Sequence, residues 1–193
     1  LVINFTWWVN RKDVEGWHVF AGGFLGLDNI GVFDRSRPLP SDDLLMQADG
    51  TAWMAFYCTI MLEMALELAA DDPAYEDVAS KFFEHFVAIS DAINSLDGTG
   101  LWEEEDGFYY DHIRSGGKSL AMKVRSLVGL MPLVAVANLD CETIGKLPGF
   151  TKRMNWFLEH RKDLARYVSY MNKGKCPDTK RMEYLLAIPS RER

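Results

Sequence analysis

From Ala52 to Ala70 the chain is apolar except at Thr59, Glu63 and Glu67, which with Asp71 fall four residues apart. That spacing lays the polar positions in one row along a helix and leaves the rest of the cylinder apolar. The pattern predicts a helix over residues 50–71, buried on most sides. Asp71-Asp72-Pro73 ends it, because a proline inside a helix removes a donor and clashes with the preceding turn, and the same residues open the next helix. Over residues 74–95, Val78, Phe82, Phe86, Ile89 and Ile93 recur at helical spacing, with Glu76, Lys81, Glu84 and Asp91 on the other side. This is the signature of a one-faced, outer-layer helix. The two predict an α-hairpin with an inner and an outer member.

The remaining segments have a different texture. Residues 1–49 carry Gly22-Gly23, Gly26 and Gly31, with Pro38 and Pro40, and are expected to be mostly irregular, with short helices near 18–26 and 29–34. Residues 96–117 read as a loop with a β-prone centre at 108–113, which predicts a small β-hairpin. Helical character returns over 127–139, interrupted by Pro132, and again over 150–160 and 163–170 as more polar, outer-type helices. Alternating inner, outer and loop segments point to an all-α chain, a partial (α/α) toroid of helical hairpins with a small β-hairpin loop.

At 193 residues and 22.0 kDa the chain has room for one domain of ordinary size. Apolar residues at 48% and charged residues at 25% exclude the disordered regime. A net charge of −7 argues against a nucleic-acid or anionic-membrane partner, since both need a basic face. The uncharged runs 50–62 and 126–139 fall short of a membrane span, so no membrane segment is expected. Cys58, Cys141 and Cys176 are odd in number and lack metal-ligand spacing, which suggests reduced thiols and a cytoplasmic setting. The chain opens at Leu1 without methionine and stops at Arg193 without the look of a finished domain. It is read as one partial domain over residues 1–193, truncated at both ends, whose nearest partner is the rest of its own polypeptide.

No phosphate loop, dinucleotide-binding glycine pattern, CxxC or HExxH motif occurs, and no cofactor or metal site is expected. What remains is a set of carboxylates, amides and aromatics in loops: Trp7-Trp8, Asp28-Asn29, Asp34-Arg35, Gln47-Ala48-Asp49, Trp102 to Asp106, and Tyr110-Asp111. Loops on a rigid scaffold are where function concentrates. Aromatic planes beside carboxylates and amides suit a carbohydrate, whose C–H faces stack on rings and whose hydroxyls take paired hydrogen bonds. Each residue also has a plainer reading. Asp28 and Asp49 could cap helices, residues 103–105 could be a solvated turn, Trp7, Trp8 and Trp53 could be core, and Asp34 could pair with Arg35 or Arg37. Loop and helix-start positions predict that Trp8, Asn29, Asp34, Gln47, Asp49, Tyr110 and Asp111 converge on one substrate-binding cavity.

Four stretches carry a resemblance: residues 4–13 (NFTWWVNRKD), 19–36 (VFAGGFLGLDNIGVFDRS), 47–54 (QADGTAWM) and 107–111 (GFYYD). Together they resemble the bacterial proteins related to glycoside hydrolase family 63, which include processing α-glucosidases and mannosylglycerate hydrolase-like enzymes. The resemblance covers about residues 4–140. It implies an (α/α)6 toroid and inverting hydrolysis of an α-linked glucoside or related sugar. In that mechanism one carboxylic acid protonates the leaving oxygen and a second carboxylate activates water, the two lying roughly 6.5–9.5 Å apart. In the eukaryotic members the acid follows a Gly-Phe-Leu-Trp-Asp-Glu type motif. Here Gly23-Phe24-Leu25 is followed by Gly26-Leu27-Asp28-Asn29, and Asp28 is the carboxylate within reach of that register, which makes it the implied general acid. The second carboxylate follows a Trp-Arg-Gly-Pro stretch that these residues do not contain, so the 193 residues alone are expected to be inactive. The alternative is a catalytically inactive carbohydrate-binding module or a helical scaffold.

Overall fold

In the computed structural model the described residues are 1–10, 16, 18–21, 34–37, 39, 43–95, 100–162, 174–175, 182–190 and 193. The α-hairpin forms where the apolar periodicity places it. Numbered in chain order, α1 spans Val2–Val9, α2 spans Ala48–Ala69 and α3 spans Ala74–Asn94. The Asp72 carboxylate accepts the Ala74 amide at 3.0 Å, so the acidic turn serves the next helix start. Phe82, Phe83, Phe86, Ile89 and Ile93 of α3 are buried. On α2, Glu63 and Glu67 are exposed as the polar row requires, whereas Thr59 is buried and donates to the Phe56 carbonyl at 2.8 Å.

The expectation of an all-α toroid is overturned, because the described residues contain three small antiparallel sheets. The first runs β1 (Leu44–Met46), β4 (Asp111–Ser115), β5 (Lys118–Met122), with β4 in the middle. Gly116 and Gly117, at φ 53° and 78°, close the β4–β5 turn in the left-handed region that glycine adopts freely. The second pairs β2 (Trp102–Glu103) with β3 (Phe108–Tyr109). The third runs β6 (Val136–Asp140), β8 (Met182–Ala187), β7 (Gly174–Lys175).

The apolar run after Ser126 explains part of the error. It forms a 3-10 helix only over Leu127–Val134, capped by the Ser126 hydroxyl and containing Pro132. It then turns extended, and β6 buries Ala137 and Leu139 while Val136 and Asn138 face out. Alternation over so short a stretch was hidden inside a run that looks helical. After the short α4 (Cys141–Gly145), α5 (Pro148–His160) does form where a polar outer helix was expected, starting on Pro148. Glu76 of α3 accepts the Phe150 amide at 2.7 Å, and Phe83 meets Phe150 and Phe157 edge-on at 6.1 and 6.0 Å. The expected helix over 163–170 lies outside the described residues, and so does most of the expected helical stretch between 18 and 34; residues 19–21 are extended and Ala21 bridges to Met46.

One buried amide fastens the sheets to the hairpin. Asn94, at the end of α3, donates to the Ile188 carbonyl at 2.8 Å and accepts from the Tyr109 hydroxyl at 2.7 Å and from Arg193 at 2.7 Å. By length and composition alone α2 is apolar enough to cross a membrane. One flank of it, however, is buried against α3, with which it forms the main hydrophobic core.

Candidate functional site

The start of α2 collects more polar groups than any helix start needs. A helix begins with amides that have no partner inside it. Gln47 occupies the cap position in extended conformation and makes no side-chain cap. Two carboxylates supply the acceptors instead. Asp111, from the first residue of β4, accepts the Ala48 amide at 2.8 Å, and Asp49 accepts the Gly50 amide at 2.8 Å. Negative charge is also favoured there by the helix dipole.

Arg35 joins these two carboxylates. Its Nη2 and Nη1 donate to Asp49 Oδ1 and Oδ2 at 2.5 and 3.2 Å, and its Nε donates to Asp111 Oδ2 at 2.7 Å. Arg35 and Asp49 are fully buried, and Asp111 nearly so. Planar, multi-donor geometry is what lets a guanidinium satisfy two carboxylates at once. Ionised throughout, the cluster has one positive and two negative charges. Burial pushes the carboxyls of Asp49 and Asp111 above the ordinary aspartate range, against the pull of Arg35, and for Asp111 the neighbouring Asp49 charge adds to the rise. Burial works to lower the Arg35 pKa, but its bonds and charge contacts with both aspartates outweigh that and raise it. Arg35 therefore stays charged.

Just before the glycine-rich segment the chain is pinned to the same place. Phe20 donates its amide to the Thr51 hydroxyl at 2.9 Å, the Phe20 carbonyl accepts the Gln47 amide at 3.0 Å, and Ala21 bridges to Met46. Phe20 lies so close to Gly50 that an added Cβ would meet its ring at 2.8 Å, so glycine is required by that approach. Phe20 and Ala21, before residues 22–33 in sequence, and Arg35, after them, are thus all held at the start of α2.

The structure gathers several of the expected residues at this junction. Asp49 and Asp111 share Arg35. Gln47, fully buried, caps α2 two residues before Asp49, and Tyr110, buried, lies just before β4 and Asp111. The Tyr110 hydroxyl accepts from Arg125 at 3.3 Å, and Arg125 in turn pairs with Asp106 at 3.1 Å. Trp8 is half-buried with its ring 5.7 Å from Phe20. Asp34 is adjacent in sequence but exposed; it accepts from the amide and hydroxyl of Ser36 at 2.9 and 2.6 Å and pairs with Arg37 at 3.2 Å. Those Ser36 bonds, with Arg37, hold its carboxyl below the ordinary range. Asp28 and Asn29 lie outside the described residues. Asp106, between Lys123 and Arg125 at 3.1 Å each, ties down the acidic turn 103–106.

Arg35 is the residue that sequence reasoning missed, beyond naming it as a partner for Asp34. Its ligands stand 14 and 76 positions away, and nothing in local spacing connects them. Chemically, the junction is a holding device. It satisfies its own charges and orients the chain on either side, but the carboxylates of Asp49 and Asp111 already accept from Arg35 and from backbone amides. A separate cleft of about 460 Å3 opens between α3 and α5 beside His18, and none of the expected site residues is among the described residues that line it. Among the described residues no group of three His, Cys, Asp or Glu side chains could hold a metal ion.

No protein-family profile and no solved structure matches the chain. It is 49% identical over 207 aligned residues to the uncharacterized protein YMR196W of Saccharomyces cerevisiae. That match takes in all of this chain and 19% of the yeast protein, so the chain spans about a fifth of the length of the curated relative it matches. In yeast, the equivalent of this chain is one section of a much longer polypeptide.

Proposed function

We propose that this chain is a section of an inverting, cytoplasmic glycoside hydrolase related to family 63, acting on an α-linked glucoside or a related sugar. The observation that supports the reading beyond motif resemblance is the anchoring of the residues on either side of 22–33, the stretch of sequence that contains Asp28 and Asn29. Phe20 and Ala21 before it and Arg35 after it are all held at the buried start of α2. A general acid must be held within hydrogen-bond reach of the leaving oxygen, and a preorganised frame does this at no cost during reaction. In this reading Asp28 donates its proton to the glycosidic oxygen. Asn29 and Trp8 receive the sugar, with Asp34 at the rim, while Gln47 and Tyr110, both buried, back the site from behind. Arg35, with Asp49 and Asp111, holds the segment, a role the geometry favours for these two carboxylates over direct sugar contact. The carboxylate that activates water comes from another part of the polypeptide.

The test is made on the complete polypeptide with an α-glucoside carrying a poor leaving group. The first product observed by proton NMR should be the β-anomer, as inversion requires. Asp28→Asn should lower turnover by about 10²–10⁴-fold, the range for loss of a general acid. Turnover within a few-fold of wild type would remove Asp28 from this role. The second reading is a carbohydrate-binding module without catalysis, favoured by the engagement of both described candidate carboxylates with Arg35. Sugar binding without any anomeric product would select it.

A further inference from the structure

The outer flank of α2 is apolar and only partly covered. Trp53, Phe56, Tyr57 and Ile60 are half-buried, and Met64 and Leu68 are 43% and 49% exposed. Their spacing of three and four residues puts them on one side of the helix, a stripe of roughly 22 Å at 1.5 Å per residue. The stripe is bordered by α1, whose Phe5 ring stacks 6.1 Å from Tyr57 and whose Ile3 is 86% exposed, so the apolar surface continues beyond α2. A contiguous apolar strip of this kind marks a docking surface. Glu63 and Glu67 stand exposed within its C-terminal half.

We propose that this stripe docks an amphipathic helix supplied by the sections of the same polypeptide that flank this chain. Three observations select that occupant. The match to the yeast protein leaves most of that polypeptide outside the matched section. The stripe has the anchor spacing that receives one helix face. Its charge distribution disfavours the other occupants: lipid would have to take in two carboxylates. A second copy of the stripe laid parallel would face Glu63 and Glu67 with the same carboxylates. Laid antiparallel, it would face them with Trp53 and Phe56. The partner helix is therefore apolar opposite Trp53 to Ile60 and carries Lys or Arg opposite Glu63 and Glu67. This inference does not depend on the glycosidase reading.

The experiment reads the maleimide modification rate of Ile60→Cys in a Cys141→Ser, Cys176→Ser background, where the remaining Cys58 is buried. The variant is compared in the isolated 193-residue chain and in a chimera where this chain replaces the matching fifth of the yeast protein. The yeast protein itself, with cysteine at the position aligned to Ile60, repeats the second arm should the chimera fail to fold. We expect modification about tenfold slower in the longer polypeptide, the protection given by burial in a stable interface. Adding Glu63→Lys and Glu67→Lys there should raise the rate again. In the isolated chain the rate should not change with protein concentration or with phosphatidylcholine–phosphatidylserine vesicles. Equal rates in the two contexts would overturn the proposal. Protection that grows with concentration would assign the stripe to a second copy, and protection by vesicles would assign it to lipid.

Discussion

The two ends of α2 solve opposite problems. At its start, three ionisable side chains are buried together, and each finds its partners inside this chain. Along its outer flank, Met64 and Leu68 are apolar and only about half covered. Burying charge is costly unless geometry and hydrogen bonds are complete, so a junction like Arg35–Asp49–Asp111 is worth building only where a particular backbone arrangement must be held. Exposed apolar surface has the opposite meaning, because burying it takes a partner from outside. The first region fixes what is close at hand and the second reaches outward.

The largest effect should come from breaking the junction. Arg35→Met leaves two buried carboxylates facing each other without a cation. It should cost about 3–5 kcal/mol of unfolding free energy in denaturant titration, or remove the cooperative transition altogether. A loss no larger than a surface substitution would mean that the cluster is not a structural centre.

Acidification sharpens the comparison at a smaller scale. A carboxyl raised on folding binds its proton more tightly in the folded state, so its ionisation costs stability above the folded pKa. That cost is relieved as pH falls through the folded value toward the ordinary 3.8. Between neutral pH and about 4, wild type should therefore gain stability relative to Asp111→Asn, which does not titrate there. Melting temperatures of the two across that range give the sign directly. A wild type that loses ground to the variant on acidification would mean that Arg35 dominates burial.

Those two predictions concern a feature that the sequence conceals, and the contrast with the helices explains why. α2, α3 and α5 were legible because each repeats its apolar period over a dozen residues or more. Their observed starts and ends lie within two residues of the periodic runs. α1 was not: Asn4-Phe5-Thr6-Trp7-Trp8 is rich in residues of modest helix propensity, and its helix is supported by tertiary contacts, Phe5 against Phe82 at 4.8 Å and Trp8 against Phe20. The strands run two to six residues, too short for alternation to announce them, and their pairings join Met46 with His112 and Asp140 with Glu183. Tyr110 and Asp111 were picked out as site residues from their chemistry, but that Asp111 reaches Ala48 and Arg35 follows from the β1–β4 register. Asp28, which carries the proposed chemistry, rests on its motif.

The smallest effect belongs to the open flank. Met64→Gln removes no contact on which the isolated chain depends and should change its stability by no more than about 0.5 kcal/mol. A destabilisation of several times that amount, at a residue 43% exposed, would show that the outer flank of α2 is already covered within this chain.

The central claim is that Arg35 couples the start of α2 to β4 through Asp49 and Asp111. Amide hydrogen exchange on Arg35→Lys tests it most directly, since lysine keeps the charge but cannot serve two carboxylates with a planar fork. Exchange should become faster at Ala48 and Gly50, whose amides the two carboxylates accept, with the α3 amides around Phe82 to Phe86 unchanged. Unaltered protection at Ala48 and Gly50, or a uniform loss across both helices, would contradict it.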